Sequence, residues 1–166
     1  MVTDDNTITV REMRSGDDLA GVLALCKEFF AEYERHHEEF FDTDNLTDAD
    51  IVGRFEESLE SEHSATVIAL ADDKIVGYAS VVEREQPRFY KVRTVGAVSA
   101  LMVAKEYRRR GVATRIMAEA KNFFRKRGVK YYTFYTAAAN SDAIALYEKL
   151  GMEKLHIAFL GNSREP

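Results

Sequence analysis

Three observations in the sequence predict an α/β domain built on a mixed, mostly antiparallel sheet flanked by helices. Short runs rich in β-branched and aromatic residues alternate with longer segments whose apolar residues recur at helical spacing. Two of the strand-like runs are separated only by Ala71-Asp72-Asp73-Lys74, which makes them an antiparallel hairpin. A third run, Val98-Ser99-Ala100-Leu101-Met102-Val103, passes through a glycine-containing turn into the clearest helical pattern in the chain. At 166 residues the chain suits one domain, 1–166, with a proper core. Its 46% hydrophobic and 31% charged residues are ordinary for a globular protein.

Taken in order, Thr7 to Arg11 alternates loosely and reads as a first strand. Ser15-Gly16-Asp17-Asp18 supplies helix-start chemistry, with carboxylates where the first turn presents unpaired N–H groups. Leu19, Val22, Leu23, Cys26, Phe29, Phe30 and Tyr33 then fall on one helical stripe. Cys26 lies within that stripe and reads as a small buried hydrophobe rather than a nucleophile. An acidic and aromatic loop, about 40–46, precedes Thr47-x-x-Asp50, a capping-box-like start for a second helix marked by Ile51, Val52, Phe55 and Leu59. The hairpin Thr66–Leu70 and Ile75–Val82 follows, then a polar stretch from Glu83 to Thr94 containing Pro87.

After the glycine turn, Val112, Ala113, Ile116, Met117, Ala120, Phe123 and Phe124 form one face of a helix, and Gly128 ends it as a left-handed cap. Val129 to Thr136 is a tyrosine-rich strand. Asn140-Ser141-Asp142 opens a short helix over 143–150, and Gly151 ends it. Met152 to Leu160 reads as a closing strand, giving the order β-α-α-β-β-β-α-β-α-β.

Composition removes several classes. The lone cysteine excludes an internal disulfide and a cysteine-rich metal site. His36-His37-Glu38-Glu39 is poorly spaced for a metal, because adjacent helical residues do not face each other, so no metal is expected. No run approaches the length of a membrane helix, and Met1-Val2-Thr3-Asp4-Asp5 is not a signal peptide. A cytoplasmic protein without a membrane partner is expected, in which Asn45-Leu46-Thr47 is a chance match to a glycosylation sequon.

The net charge of −5 hides a segregation. From Glu28 to Glu62 thirteen Asp/Glu stand against Arg35 and Arg54, and from Arg84 to Lys130 fourteen Lys/Arg stand against Glu85, Glu106 and Glu119. One region should attract cations and the other anions, although two solvated faces of opposite bias account for the same counts.

The stretch Lys105-Glu106-Tyr107-Arg108-Arg109-Arg110-Gly111-Val112-Ala113-Thr114 joins a buried strand to a helix. Gly111 permits a positive φ or a close backbone approach, and Ala113 keeps the first turn thin. A helix N-terminus offers free N–H groups and partial positive charge, so the stretch reads as an anion site suited to phosphate. Neither a P-loop nor a G-x-G-x-x-G fingerprint is present. A basic turn that merely caps the helix, or a nucleic-acid patch, would use the same arginines. A second constellation is Asn140-x-x-Ala143-x-x-Leu146-Tyr147-x-Lys149-x-Gly151-Met152, in which Asn140 also suits an N-cap and Tyr147 and Leu150 also suit the core.

These two motifs in register resemble the GNAT superfamily of N-acetyltransferases. Arg108-x-x-Gly111-x-Ala113 after a buried strand is similar to its cofactor motif, and Asn140 to Met152 to its second motif. The order of elements agrees over the whole chain, while the first 60 residues match in element order alone. The resemblance implies acetyl-CoA as donor, with the backbone of Arg109, Arg110, Gly111, Val112, Ala113 and Thr114 around the pyrophosphate and Arg108, Arg109 and Arg110 available to its charge. It implies that Leu101, Met102 and Val103 pair with the pantetheine arm, that Asn140 hydrogen-bonds it, and that Tyr147 sits by the sulfur as proton or hydrogen-bond donor. Transfer to a primary amine by direct attack in a ternary complex follows from the same resemblance.

The family's strand glutamate is absent here, which leaves Glu83, Glu85 or water as base. A cationic small-molecule or peptide amine would suit the acidic segment, with Tyr33, Phe40 and Phe41 as an apolar wall. The same fold would also serve a non-catalytic acyl-CoA sensor. No nucleic-acid partner is expected, and a homodimer is left open.

Overall fold

The computed structural model describes residues 8–37 and 39–164; Thr7 of the expected first strand and Glu38 lie outside them. The elements are β1 (Thr9–Glu12), α1 (Leu19–Glu34), α2 (Asp48–Glu60), β2 (Ser64–Ala71), β3 (Lys74–Glu85), β4 (Thr94–Val103), α3 (Val112–Lys126), β5 (Tyr132–Phe134) and α4 (Ser141–Lys149). A short 3-10 turn at Lys105–Tyr107 precedes α3. The strands form one sheet in the order β1-β2-β3-β4-β5. Every neighbouring pair is antiparallel except β4 and β5, which run parallel. The sheet is therefore mixed and mostly antiparallel, as the sequence predicts.

Both faces of the central strands are covered, which explains why their sequences read as nearly continuous apolar runs. Side chains alternate across a strand, and in β2 Val67 and Ala69 join one core while Ile68 joins the other. On the first face α3 lays Ile116, Met117, Phe123 and Phe124 against Ala79, Val81 and Val98. A Cβ added at Gly96 would stand 2.6 Å from the Phe124 ring, so the absence of a side chain there sets how closely α3 approaches β4. On the second face Val22, Leu25 and Cys26 of α1 and Ile51 and Phe55 of α2 pack on Tyr78 and Met102.

The helix starts follow their caps. Asp18 accepts from the Ala20 N–H at 3.0 Å. Thr47 and Asp50 form a full capping box, with Asp50 N–H donating to Thr47 Oγ1 at 3.2 Å and Thr47 N–H to Asp50 Oδ2 at 3.0 Å. Gly128, at φ 71°, closes α3, and the following Val129 N–H donates to the Phe124 carbonyl. No helix among the described residues is long and apolar enough to cross a membrane.

Two expected strands differ from the structure. The tyrosine-rich strand expected over 129–136 is regular only at Tyr132–Phe134, because β4 bulges where its pairing with β5 stops. Met152 to Leu160 forms no strand at all. Leu155, Ile157, Phe159 and Leu160 are exposed, and no strand among the described residues pairs with this segment.

Candidate active site

The site begins where the sheet comes apart. β4 pairs with β5 only at Gly96, Ala97 and Val98. Opposite this point Ser80 pairs with Ala100 and Val81 with Val98, so Ser99 is an extra residue that bends β4. Ser99 is exposed and donates to the Ser80 carbonyl at 3.4 Å. Beyond it, residues 100–103 stay paired with β3 but, among the described residues, have no strand on the other side. A cleft of about 380 Å³ opens there. Leu101 and Met102 line it from β4, Asn140 and Asp142 from the start of α4, and Phe29, Glu32, Tyr33 and His36 from the end of α1.

At the end of β4 the chain turns into α3 through Arg108–Gly111. Arg109, at φ 63°, and Gly111, at φ 77°, are both left-handed. Among the described residues, the six successive N–H groups from Arg109 to Thr114 meet no hydrogen-bond acceptor, and the next, of Arg115, bonds the Gly111 carbonyl. These donors are the free start of a fifteen-residue helix whose dipole adds positive charge. They form an anion cradle continuous with the unpaired edge of β4.

Arg108 does something the sequence did not suggest. Its Nε donates to the Val103 carbonyl at 2.8 Å and its Nη2 to Glu32 Oε1 at 2.8 Å. The guanidinium thus ties the turn to β4 and to α1 rather than standing free for a phosphate. Arg110 lies over the Tyr107 ring at 5.4 Å, and Arg109 and Arg110 are exposed.

Asn140 caps α4, its side-chain oxygen accepting from the Ala143 N–H at 3.2 Å, so the capping role and a place in the cleft coexist. Tyr147 does not line that cleft. It lies beside β5 with its ring 4.4 Å from that of Phe134, and burial pushes its phenol well up. Val103 is buried and paired with Gly77, and its carbonyl already accepts from Arg108 Nε.

Three expectations need correction. Glu83 pairs with Gly96, whereas Met102 pairs with Tyr78, so Glu83 stands ~16 Å along the strand from Met102 at ~3.3 Å per residue. Glu83 also contacts Arg127 Nε at 3.5 Å and His63 Nδ1 at 3.4 Å, and Glu85 is farther still. Neither reaches the cleft. The acidic segment does not form its mouth either: Glu32 and Asp142 are balanced by Arg35 and Lys105, while most carboxylates of α2 face solvent. Of the expected aromatic wall only Tyr33 lines the cleft; Phe41 packs behind it at 4.5 Å, and Phe40 packs on Phe41. Buried Cys26, whose thiol burial pushes up, offers no nucleophile.

Phe29, Glu32, His36 and Asp142 were missed as site residues. Phe29 continues the apolar stripe of α1, Glu32 lies on that helix outside the stripe, His36 lies just beyond its end and Asp142 in the first turn of α4, and only the position of the β4–β5 gap shows which turns face it.

The family model described as the acetyltransferase (GNAT) family matches residues 16–152, and the chain belongs to that family. It is 30% identical over 110 residues to an N-alpha-acetyltransferase of Saccharolobus solfataricus, covering 62% of this chain and 65% of the relative. It is 30% identical over 84 residues to N-alpha-acetyltransferase 30 of Schizosaccharomyces pombe, covering 51% of this chain and 54% of the relative. The aligned regions thus span under two thirds of either relative's length. Among solved structures, an aminoglycoside N-acetyltransferase in complex with CoA superposes with a TM-score of 0.79 at 21% identity, over 99% of each chain.

Proposed function

We propose that this protein is an N-acetyltransferase that moves the acetyl group of acetyl-CoA to a primary amine by direct attack in a ternary complex. The observation that carries the reading is the row of free N–H groups from Arg109 to Thr114, continuous with the unpaired edge of β4 and ending at the cleft. That path suits a ligand with a pyrophosphate at one end and an extended amide-bearing arm. Family membership and the named activities of the relatives support it.

In this reading the N–H groups of Arg109 to Thr114 hold the pyrophosphate, assisted by the exposed Arg109 and Arg110. The backbone of Leu101, Met102 and Val103 pairs with the pantetheine arm as a further strand would, and Asn140 closes it from the α4 side. An amine nitrogen entering past Phe29 and Tyr33 attacks the thioester carbonyl, and a backbone N–H near Met102 stabilises the oxyanion. The carbon–sulfur bond then breaks, and the ammonium proton leaves through water, since no carboxylate of β3 is within reach. Tyr147 serves the leaving sulfur. Its phenol, raised above the usual ~10, holds its proton more tightly than a thiol of pKa ~8.5, so it acts as a hydrogen-bond donor to the thiolate rather than surrendering the proton.

The acceptor is a cationic small-molecule or peptide amine. A peptide N-terminus is favoured by the relatives' names and by the aromatic walls, Phe29 and Tyr33, of the cleft. Calorimetry with acetyl-CoA followed by thiol release over polyamines, aminoglycosides and peptides of varied N-terminus tests the proposal. Binding with turnover on one amine class is expected. Binding without turnover would favour the acyl-CoA sensor, and no binding would overturn the cradle assignment.

A further inference from the structure

At the end of the sheet away from the cleft lies a basic and aromatic surface that acetyl transfer does not use. β3 and β4 are joined there by a loop over 86–93. It is closed by the Gln86 N–H donating to the Arg93 carbonyl at 2.8 Å and the Tyr90 N–H donating to the Pro87 carbonyl at 3.0 Å. The chain entering β5 lies alongside, because the Gly96 N–H donates to the Tyr131 carbonyl at 2.9 Å. The end of α3 reaches the same place, where Arg127 Nε donates to the Glu62 carbonyl at 2.8 Å and lies 3.5 Å from Glu83. Thr94, at the start of β4, stands ~26 Å along the strand from Met102 at ~3.3 Å per residue.

Arg84, Arg88, Lys91, Arg93, Lys126 and Lys130 meet at this end. All are exposed, and among the described residues none is in an ion pair. Glu83 is paired with Arg127, which leaves Glu85 as the opposing carboxylate of the β3–β4 ribbon. A chain of net charge −5 thus concentrates positive charge in one place. Aromatic faces are set among these cations. Phe89, in the loop, is 81% exposed, with its ring 4.5 Å from that of Tyr90. Tyr131 is 51% exposed, and Lys130 lies over its ring at 5.1 Å. We infer that this end of the molecule binds single-stranded nucleic acid, with phosphates held by the cations and unpaired bases stacked on Phe89 and Tyr131.

Charge alone would suit any polyanion, and the interleaving of rings with cations selects among them. A duplex keeps its base faces stacked inside and offers the rings nothing. A single strand presents both phosphates and free base faces, and stacking on an aromatic ring tolerates every base. An acidic protein segment would satisfy the cations but leave the rings in water. A membrane surface would need a broader apolar face than one fully exposed phenylalanine, because anchoring strength scales with the apolar area buried. The arginines at the start of α3 stand at the opposite end of β4, so a strand could be held here while the cleft is occupied. The inference goes beyond the acetyltransferase reading and does not depend on it.

Fluorescence anisotropy of labelled oligo(U) and oligo(dT), about twelve nucleotides long, titrated with the full chain over a range of salt, tests it. Saturable binding is expected, tighter than to a duplex of the same length. Neutralising six phosphates at ~0.7 each would make the affinity fall with about the fourth power of salt concentration. A preference for oligo(U) assigns the strand to RNA, and a preference for oligo(dT) assigns it to DNA. Phe89→Ala should weaken binding roughly 5–150-fold with the salt slope unchanged. Arg88→Gln with Lys91→Gln should lower that slope by about 1.4. Both variants should melt as the wild type does, since all three side chains are exposed. Arg109→Gln with Arg110→Gln should bind the strand as the wild type does, and a loss there would move the contact to the start of α3 and overturn the inference. Absence of binding, duplex binding as tight as that of the single strand, or wild-type affinity in Phe89→Ala would overturn it as well. Flotation with phosphatidylserine vesicles that Phe89→Ala abolishes, without oligonucleotide binding, would assign the surface to a membrane instead.

Discussion

Replacing Gly111 with alanine separates backbone strain from ligand contact. Gly111 sits at φ 77°, and a Cβ placed there meets no atom within 4 Å. Gly128, at the other end of α3, has φ 71° and equally open surroundings. Each substitution forces an L-residue into the left-handed region at about 1–2 kcal/mol. For a chain of this size that lowers the melting temperature by roughly 2–8 °C, and the two variants should lose similar amounts. They should part in coenzyme A binding.

The space above Gly111 is where a pyrophosphate would approach the free N–H groups, and a methyl group there holds the anion away. Losing one charge-assisted hydrogen bond, about 1.5–3 kcal/mol, weakens binding roughly 10–150-fold. Calorimetry should show that loss for Gly111→Ala, while Gly128→Ala binds as the wild type does. Wild-type affinity in Gly111→Ala, with both proteins destabilised alike, would refute the placement of the pyrophosphate.

Tyr147→Phe should lower turnover roughly 10–150-fold, the loss of one hydrogen bond of about 1.5–3 kcal/mol to a charged group, with coenzyme A affinity little changed; wild-type turnover would leave Tyr147 as a packing residue against Phe134. Tyr78 is fully buried, and its hydroxyl faces the Cys26 thiol, a weak partner that falls short of hydrogen-bond geometry. Tyr78→Phe should therefore leave stability unchanged or raise it by about 1–2 kcal/mol, and a loss in chemical denaturation would mean that the hydroxyl has a partner. Burial raises both the Tyr78 and Tyr147 phenols above their unfolded value. The folded chain then keeps protons that the unfolded chain releases, so this stabilisation is present below pH ~10 and is lost as pH rises beyond it. Denaturant midpoints on the alkaline side should fall with pH in the wild type and less steeply in Tyr78→Phe.

The core of the fold was legible because local signals agreed with the tertiary structure. The apolar run of β4, the glycine turn and the 3.6-residue stripe from Val112 to Phe124 each specify the same strand–turn–helix unit. The caps at Thr47 and Asn140 are local chemistry and fell where expected. What escaped the sequence depends on partners distant along the chain. Arg108 looks like a free motif arginine until α1 brings Glu32 to it. Phe29 and Tyr33 belong to a stripe that is apolar throughout, and only the gap between β4 and β5 distinguishes the turns that face the cleft. Residues 152–160 have the period of a strand, but a period cannot say whether an edge lies alongside to receive it.

The half-paired state of β4 links the protein's survival to its supply of donor. This ten-residue strand has a neighbour on both sides only at Gly96–Val98. A thioester arm lying along residues 101–103 would supply bonds that the chain itself lacks, and it would bind the folded form alone. By mass action a ligand at 100 times its Kd adds about 2.7 kcal/mol, an appreciable share of a typical folding free energy of ~5–15 kcal/mol. A cell short of acetyl-CoA would then expose more unfolded chain to proteolysis and hold less of the protein, so that its abundance would follow metabolic state without any change in synthesis.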